Sequence, residues 1–181
     1  LSQGNTLTAQ TVSLTAGATN ATPSANDGNI NIAGTINASG SSGGTINLYA
    51  TSGVTLSGTL DASASSATQR GGNVNIGTQG LGDGTLHATY GYENVVASQS
   101  GTITITPTAV INVSGGSAGG LSGGTLELRA PLLADGTVNV SIAPGATIEG
   151  ARDVGLEAYA TWSTIDSSAN PALSFDGIID P

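Results

Sequence analysis

Three times the chain restarts on a Gly-Gly pair that leads into an alternating strand: GGTINLYA from Gly43, GGNVNIG from Gly71 and GGTLELRA from Gly123. A second element recurs beside it, as TINASG from Thr35, TLDASA from Thr59 and VINVSG from Val110. Ile46 to Val74 spans 28 positions and Ile36 to Leu60 spans 24. Val74 to Leu126 spans 52, which is two units or one unit carrying an insertion. Self-similarity at this period marks a stack of small units, each unable to bury its apolar face without its neighbours.

Within each strand the period is two. Ile30 and Ile32, Ile46 and Leu48, Val54 and Leu56, Val74 and Ile76, Ile103 and Ile105, Leu126 and Leu128, and Val138 and Val140 are assigned inward. The Asn, Thr and Glu residues between them are assigned outward. Antiparallel sandwiches also alternate. Strands of roughly four to six residues joined by tight small-residue turns are too short for useful hairpins, whereas stacked units set each strand about 4.8 Å from its copy. Gly and Ser recur at the corners, where a positive φ is expected to cost little. No segment repeats apolar residues at helical spacing between caps. The fold class expected is therefore all-β, a parallel β-helix or solenoid, with a shaft over residues 1–157. Two regions break the period. Residues 77–100 hold the only His and two of the four Tyr and read as a lateral loop or an irregular coil inserted in the shaft. Residues 158–181, with Tyr159, Trp162 and Phe175, read as a cap or a junction to a next module.

Composition narrows the partners. The chain has 181 residues with 28 Gly and 3% aromatics, too few large side chains for a thick core. Its net charge of -9 sets 12 acidic residues against Arg70, Arg129 and Arg152. No cationic patch for a nucleic-acid backbone can be assembled from three Arg, so nucleic acid is excluded as a partner. Cys is absent, which removes disulfides and thiolate metal sites. No apolar run reaches the roughly 18 residues of a membrane-spanning helix, so no membrane insertion is expected.

The recurring blocks, above all AVINVSGGSAGGLSGGTLELRAP from Ala109 and GATIEGARDVGLEAYATW from Gly145, resemble the filamentous haemagglutinin-like exoproteins of two-partner secretion systems. The resemblance covers about residues 29–162. It implies a right-handed β-helical filament that is secreted to the bacterial cell surface and serves adhesion or biofilm formation. The partners it implies are a host or bacterial surface receptor or glycan, and an outer-membrane transporter acting on an upstream domain. The NPNL and NPNG-type motifs of that family's secretion domain do not occur here, which assigns the piece to the shaft or distal end of a longer exoprotein.

No enzyme is expected. Pectin-lyase-like enzymes share the β-helix, and the alternative is a carbohydrate-active lyase or hydrolase acting on polysaccharide. The acids and bases are scattered: Asp61 and Arg70 lie nine positions apart, and Glu127 and Arg129 point outward from one strand as an ordinary solvated pair. GLGDGTLHA from Gly80 is similar to one turn of the calcium-binding nonapeptide repeats, making Asp83 the candidate metal ligand. Such sites need several stacked copies, and a single one reads first as a turn; no other cofactor is indicated. His87, Tyr90, Tyr92 and Glu93 stand within seven positions and are the candidate ligand-binding residues, since aromatics on loops make good anchors. The plain reading beside this is that the tyrosines pack under the insertion.

Overall fold

The structure is a computed structural model that describes residues 1–17, 27–79, 82–89, 92–98, 101–117, 122–133, 135–159 and 161–162, with 82–89, 92–98 and 161–162 described by their backbone. Among these residues there is no helix. Three parallel sheets, none closed into a barrel, make up the body.

The chain visits the three sheets in one repeating order. Strands β1 (Thr6–Thr8), β4 (Thr35–Asn37), β7 (Thr59–Asp61), β12 (Val110–Asn112) and β15 (Thr147–Glu149) form the first sheet. The second contains β2 (Thr11–Ala16), β5 (Thr45–Ala50), β8 (Asn73–Thr78), β13 (Gly124–Pro131) and β16 (Ala151–Tyr159). The third contains β3 (Asn29–Ile32), β6 (Gly53–Leu56), β11 (Thr102–Ile105) and β14 (Val140–Ile142). Each pass lays its strands on those of the pass before.

The register follows the alternation. Ile46 pairs with Val74 and Val74 with Leu126, so the spacing of 52 between the latter two is one unit with an insertion. Ile36 pairs with Leu60, and Leu60 with Ile111. The inward rungs are thus mostly aliphatic on aliphatic, as in Leu48, Ile76 and Leu128, all 1% exposed or less, with buried Thr78 beside Ala50 as an exception. At about 1.5–3 kcal/mol for each large aliphatic side chain buried, these rungs are the principal source of cohesion. Val138 and Val140 both pack partly buried against this core; Val138 precedes β14, whose rungs are Val140 on Ile103 and Ile142 on Ile105.

Two devices turn the corners. After the first sheet, the Asn37, Asp61 and Asn112 side chains each accept the backbone N–H two residues on, from Ser39, Ser63 and Ser114, at 2.9–3.0 Å. That capped bend is the physical content of the recurring NAS, DAS and NVS triplets. The Gly-Gly pairs serve otherwise than expected. None of Gly43, Gly44, Gly71, Gly72, Gly123 or Gly124 is among the positive-φ glycines. They are glycines because the passes touch there: a Cβ on Gly43 would overlap the Gly72 amide, and one on Gly72 the Gly44 carbonyl.

The insertion is a ribbon. Residues 82–89 and 92–98, read from the sequence as a loop or irregular coil, are antiparallel strands β9 (Gly82–Thr89) and β10 (Tyr92–Ser98). Strand β17 (Thr161–Trp162) pairs with β10 through Val95 and Val96. Strand β16 runs to Tyr159, two residues beyond the boundary at 157 drawn between shaft and cap. Phe175 lies outside the described residues.

Candidate functional site

The second sheet carries an outward row that differs from all the others. In register across its five strands stand Thr15, Tyr49, Gly77, Arg129 and Glu157. Elsewhere most outward positions are small and polar, such as Ser13, Asn47 and Asn75, whose side chains hydrogen-bond from strand to strand at 2.8–3.0 Å. Such a ladder satisfies itself. The Tyr49 row instead surrounds a groove of about 530 Å³, lined among others by Tyr49, Gly77, Gln79, Arg129 and Tyr159. That size falls within the roughly 300–1,000 Å³ of small-molecule sites.

Gly77 makes the groove. A Cβ at this position would lie 2.8 Å from Cδ1 and 2.9 Å from Cε1 of Tyr49, so the edge of the tyrosine ring fills the place of a side chain. Cross-strand pairing of an aromatic with glycine covers the bare backbone and leaves the ring faces unspent. Tyr49 is 47% exposed. Opposite it, Tyr159 reaches back from β16 and donates its phenolic O–H to the Thr78 carbonyl at 2.5 Å. Thr78 is buried, and its hydroxyl donates to the Gly101 carbonyl. The end of β8 is therefore a fixed floor, tied further by Gln79 N–H to Ala50 O at 2.9 Å.

Arg129 is held twice. Its guanidinium lies 4.5 Å from the centroid of the Tyr159 ring, and its Nε is 3.1 Å from Glu157 Oε1. Both ion-pair partners are about half exposed, which limits the worth of the bridge to the 0–1 kcal/mol of a surface pair. Its use is positional, because a planar guanidinium stacked on a ring loses much of its rotameric freedom. Burial pushes the Tyr159 phenol up to about 12, against a smaller opposing pull from Arg129. The arrangement offers an aromatic face, a fixed guanidinium and an amide, in a groove where the one Arg is already neutralised.

The residues singled out in the sequence lie elsewhere. Asp83 and His87 are on β9, and Tyr92 and Glu93 on β10. Tyr90 is outside the described residues. In the ribbon Thr89 faces Tyr92 and Gly82 faces Ser98, so Asp83 and the pair Tyr92 and Glu93 stand at opposite ends, on the order of 20 Å apart along the strands. The backbone therefore does not gather them. His87 is the nearer to Tyr92, opposite Val95. Asp135 accepts both the N–H and the hydroxyl of Thr137 at 2.9 and 2.6 Å, and these bonds lower its pKa. Among the described residues no three His, Asp or Glu side chains cluster as a metal would need.

Tyr49, Gly77 and Arg129 were missed as a group. The signal was present: a lone outward aromatic in β5 and, 28 positions on at its register partner, a glycine inside a strand. Tyr159 had been assigned to the cap. No protein-family model, curated protein or solved structure matches the chain.

Proposed function

We propose that the chain is a segment of a right-handed parallel β-helix, the shaft of a filamentous haemagglutinin-like exoprotein secreted to the bacterial cell surface, where it serves adhesion or biofilm formation. The observation that carries the reading is the constant order in which the chain visits three parallel sheets, each strand stacked on its counterpart. Such a stack grows in one dimension by adding passes, and length with stiffness is what a surface filament requires. The repeated GGTLELRAP and GARDVGLEAY blocks support the same family; they sit on adjacent strands in register, Leu126 on Val154 and Leu128 on Leu156. An outer-membrane transporter acting on an upstream domain would export it, and a surface receptor or glycan would be its partner.

The test is genetic and uses the whole exoprotein. Removing the outer-membrane transporter encoded with it is expected to abolish surface exposure of an epitope in this segment and, with it, adhesion. Surface exposure that persists without any such transporter would overturn the reading.

A further inference from the structure

We infer that the groove between Tyr49 and Tyr159 is a binding site for a neutral oligosaccharide, with Tyr49 as the stacking platform. The inference rests on the reading of the chain as an exterior shaft only for its biological setting; the geometry stands by itself.

An apolar ligand would meet the exposed Thr15 and Gln79 and the Arg129 guanidinium, all of which it would have to desolvate without return. An anionic polymer would meet a single Arg whose charge Glu157 offsets at 3.1 Å, on a chain of net charge -9. Neither is served. A neutral sugar presents a flat C–H face to an aromatic ring and hydroxyls, both donor and acceptor, to the groups around it. Tyr49 supplies the ring, half exposed and standing against Gly77 by its edge alone. Arg129 supplies donors in a fixed plane, and Gln79, exposed beside it, supplies both donor and acceptor.

Preorganisation strengthens the case. The floor is backbone and buried Thr78, Tyr159 is tied to that floor, and Arg129 is tied to Tyr159 and Glu157. Little ordering remains to be done on binding. Gly77 has no role in sheet stability that Thr or Asn, used at other outward positions, would not fill as well. Its absence of a side chain is explained by the space Tyr49 occupies.

The experiment titrates the full chain with maltohexaose, cellohexaose and mannohexaose, with hexagalacturonate as the anionic counterpart, and repeats it on Tyr49→Ala, Tyr49→Phe and Tyr92→Ser. Binding of at least one neutral hexamer is expected, weakened about tenfold by Tyr49→Ala and retained by Tyr49→Phe and Tyr92→Ser. Because Tyr49 is half exposed, circular dichroism should be unchanged in all variants. Failure of every neutral hexamer, binding confined to hexagalacturonate, or binding that survives Tyr49→Ala would each overturn the proposal. Loss on Tyr92→Ser alone would move the site to the β9–β10 ribbon and overturn it equally. The transporter deletion on the whole exoprotein reads the shaft separately: transporter-dependent surface exposure with no sugar bound removes the groove and leaves the shaft, whereas exposure that persists without the transporter removes the shaft reading whatever the sugars do.

Discussion

The strands β13 and β16 carry nearly the same pattern in the same register, and they fare differently. Leu126 and Leu128 are each 1% exposed, while their partners Val154 and Leu156 are 52% and 57% exposed. The same contrast holds in the third sheet, where Ile105 is buried and Ile142, one pass on, is 46% exposed. Nothing in the local sequence separates these rungs. Among the described residues, β13 and β11 have a paired strand on both sides and β16 and β14 on one side only, which leaves Val154, Leu156 and Ile142 open, whereas the edge strand β3 keeps Ile32 1% exposed.

A pair of charge substitutions separates the two strands most clearly. Leu128→Asp puts a carboxylate between Ile76 and Leu156 with no partner in a thin core, and should destabilise by several kcal/mol. Leu156→Asp leaves the carboxylate largely in water and should cost about 1 kcal/mol or less. Thermal melts of both variants decide it. Equal losses would mean that Leu156 is covered in solution, and burial would then not distinguish the last pass.

The glycines offer the same test by a different mechanism. In the interior, a Cβ on Gly72 would collide with the Gly44 carbonyl and come within 2.8 Å of the Ala62 carbonyl; both are backbone and cannot swing aside. In the last pass, a Cβ on Gly155 would meet only Glu127 Cγ at 3.8 Å, an ordinary contact. Gly72→Ala is therefore expected to cost about 1–3 kcal/mol or more as the passes are forced apart. Gly155→Ala should be neutral or stabilising by up to about 1 kcal/mol through the unfolded chain. Denaturant midpoints of the two variants measure the difference; a mild Gly72→Ala would show that the passes have slack at this corner.

Much of this was legible in the sequence, and for a physical reason. Ile46 over Val74 and Ile36 over Leu60 could be paired from spacing alone, because a stack repeats its inward positions and apolar residues are forced onto them. The phase of Val138 and Val140 was legible too, since both pack against the core; what spacing does not show is that the ladder begins only at Val140, paired with Ile103. The Gly-Gly pairs were recognised as corners but given the wrong cause. Positive φ is a property of one residue, whereas overlap between Gly43 and Gly72 involves residues from two passes. The groove was hidden for a similar reason: Tyr49, Gly77, Arg129 and Glu157 come from four segments, and each alone looks like an ordinary outward position. The β9–β10 ribbon was hidden by its glycines, which read as punctuation although the TLHAT and NVVAS runs beside them can form strands.

The smallest effect is expected at Tyr159, which with Glu157 ties β16 back to the strands before it. Tyr159, on β16, reaches past β13 to the Thr78 carbonyl at the end of β8. Removing the hydroxyl in Tyr159→Phe should cost about 0.5–1.5 kcal/mol at pH 8, the ordinary worth of a hydrogen bond. The cost should then depend on pH in a definite sense. Burial raises the phenol to about 12 in the folded chain, above its ordinary value of 10.0. The folded state thus favours the protonated form, so this contribution is fully present below pH 10 and is lost as the pH rises through 12. Melting temperatures of the native chain and of Tyr159→Phe, taken in steps from pH 8 to pH 12, should differ most at pH 8 and converge at the alkaline end. Convergence would locate the phenol in a partly dry groove wall held against β8. A difference that stays constant to pH 12 would mean that the phenol titrates as in water and that the wall opposite Tyr49 is not fixed.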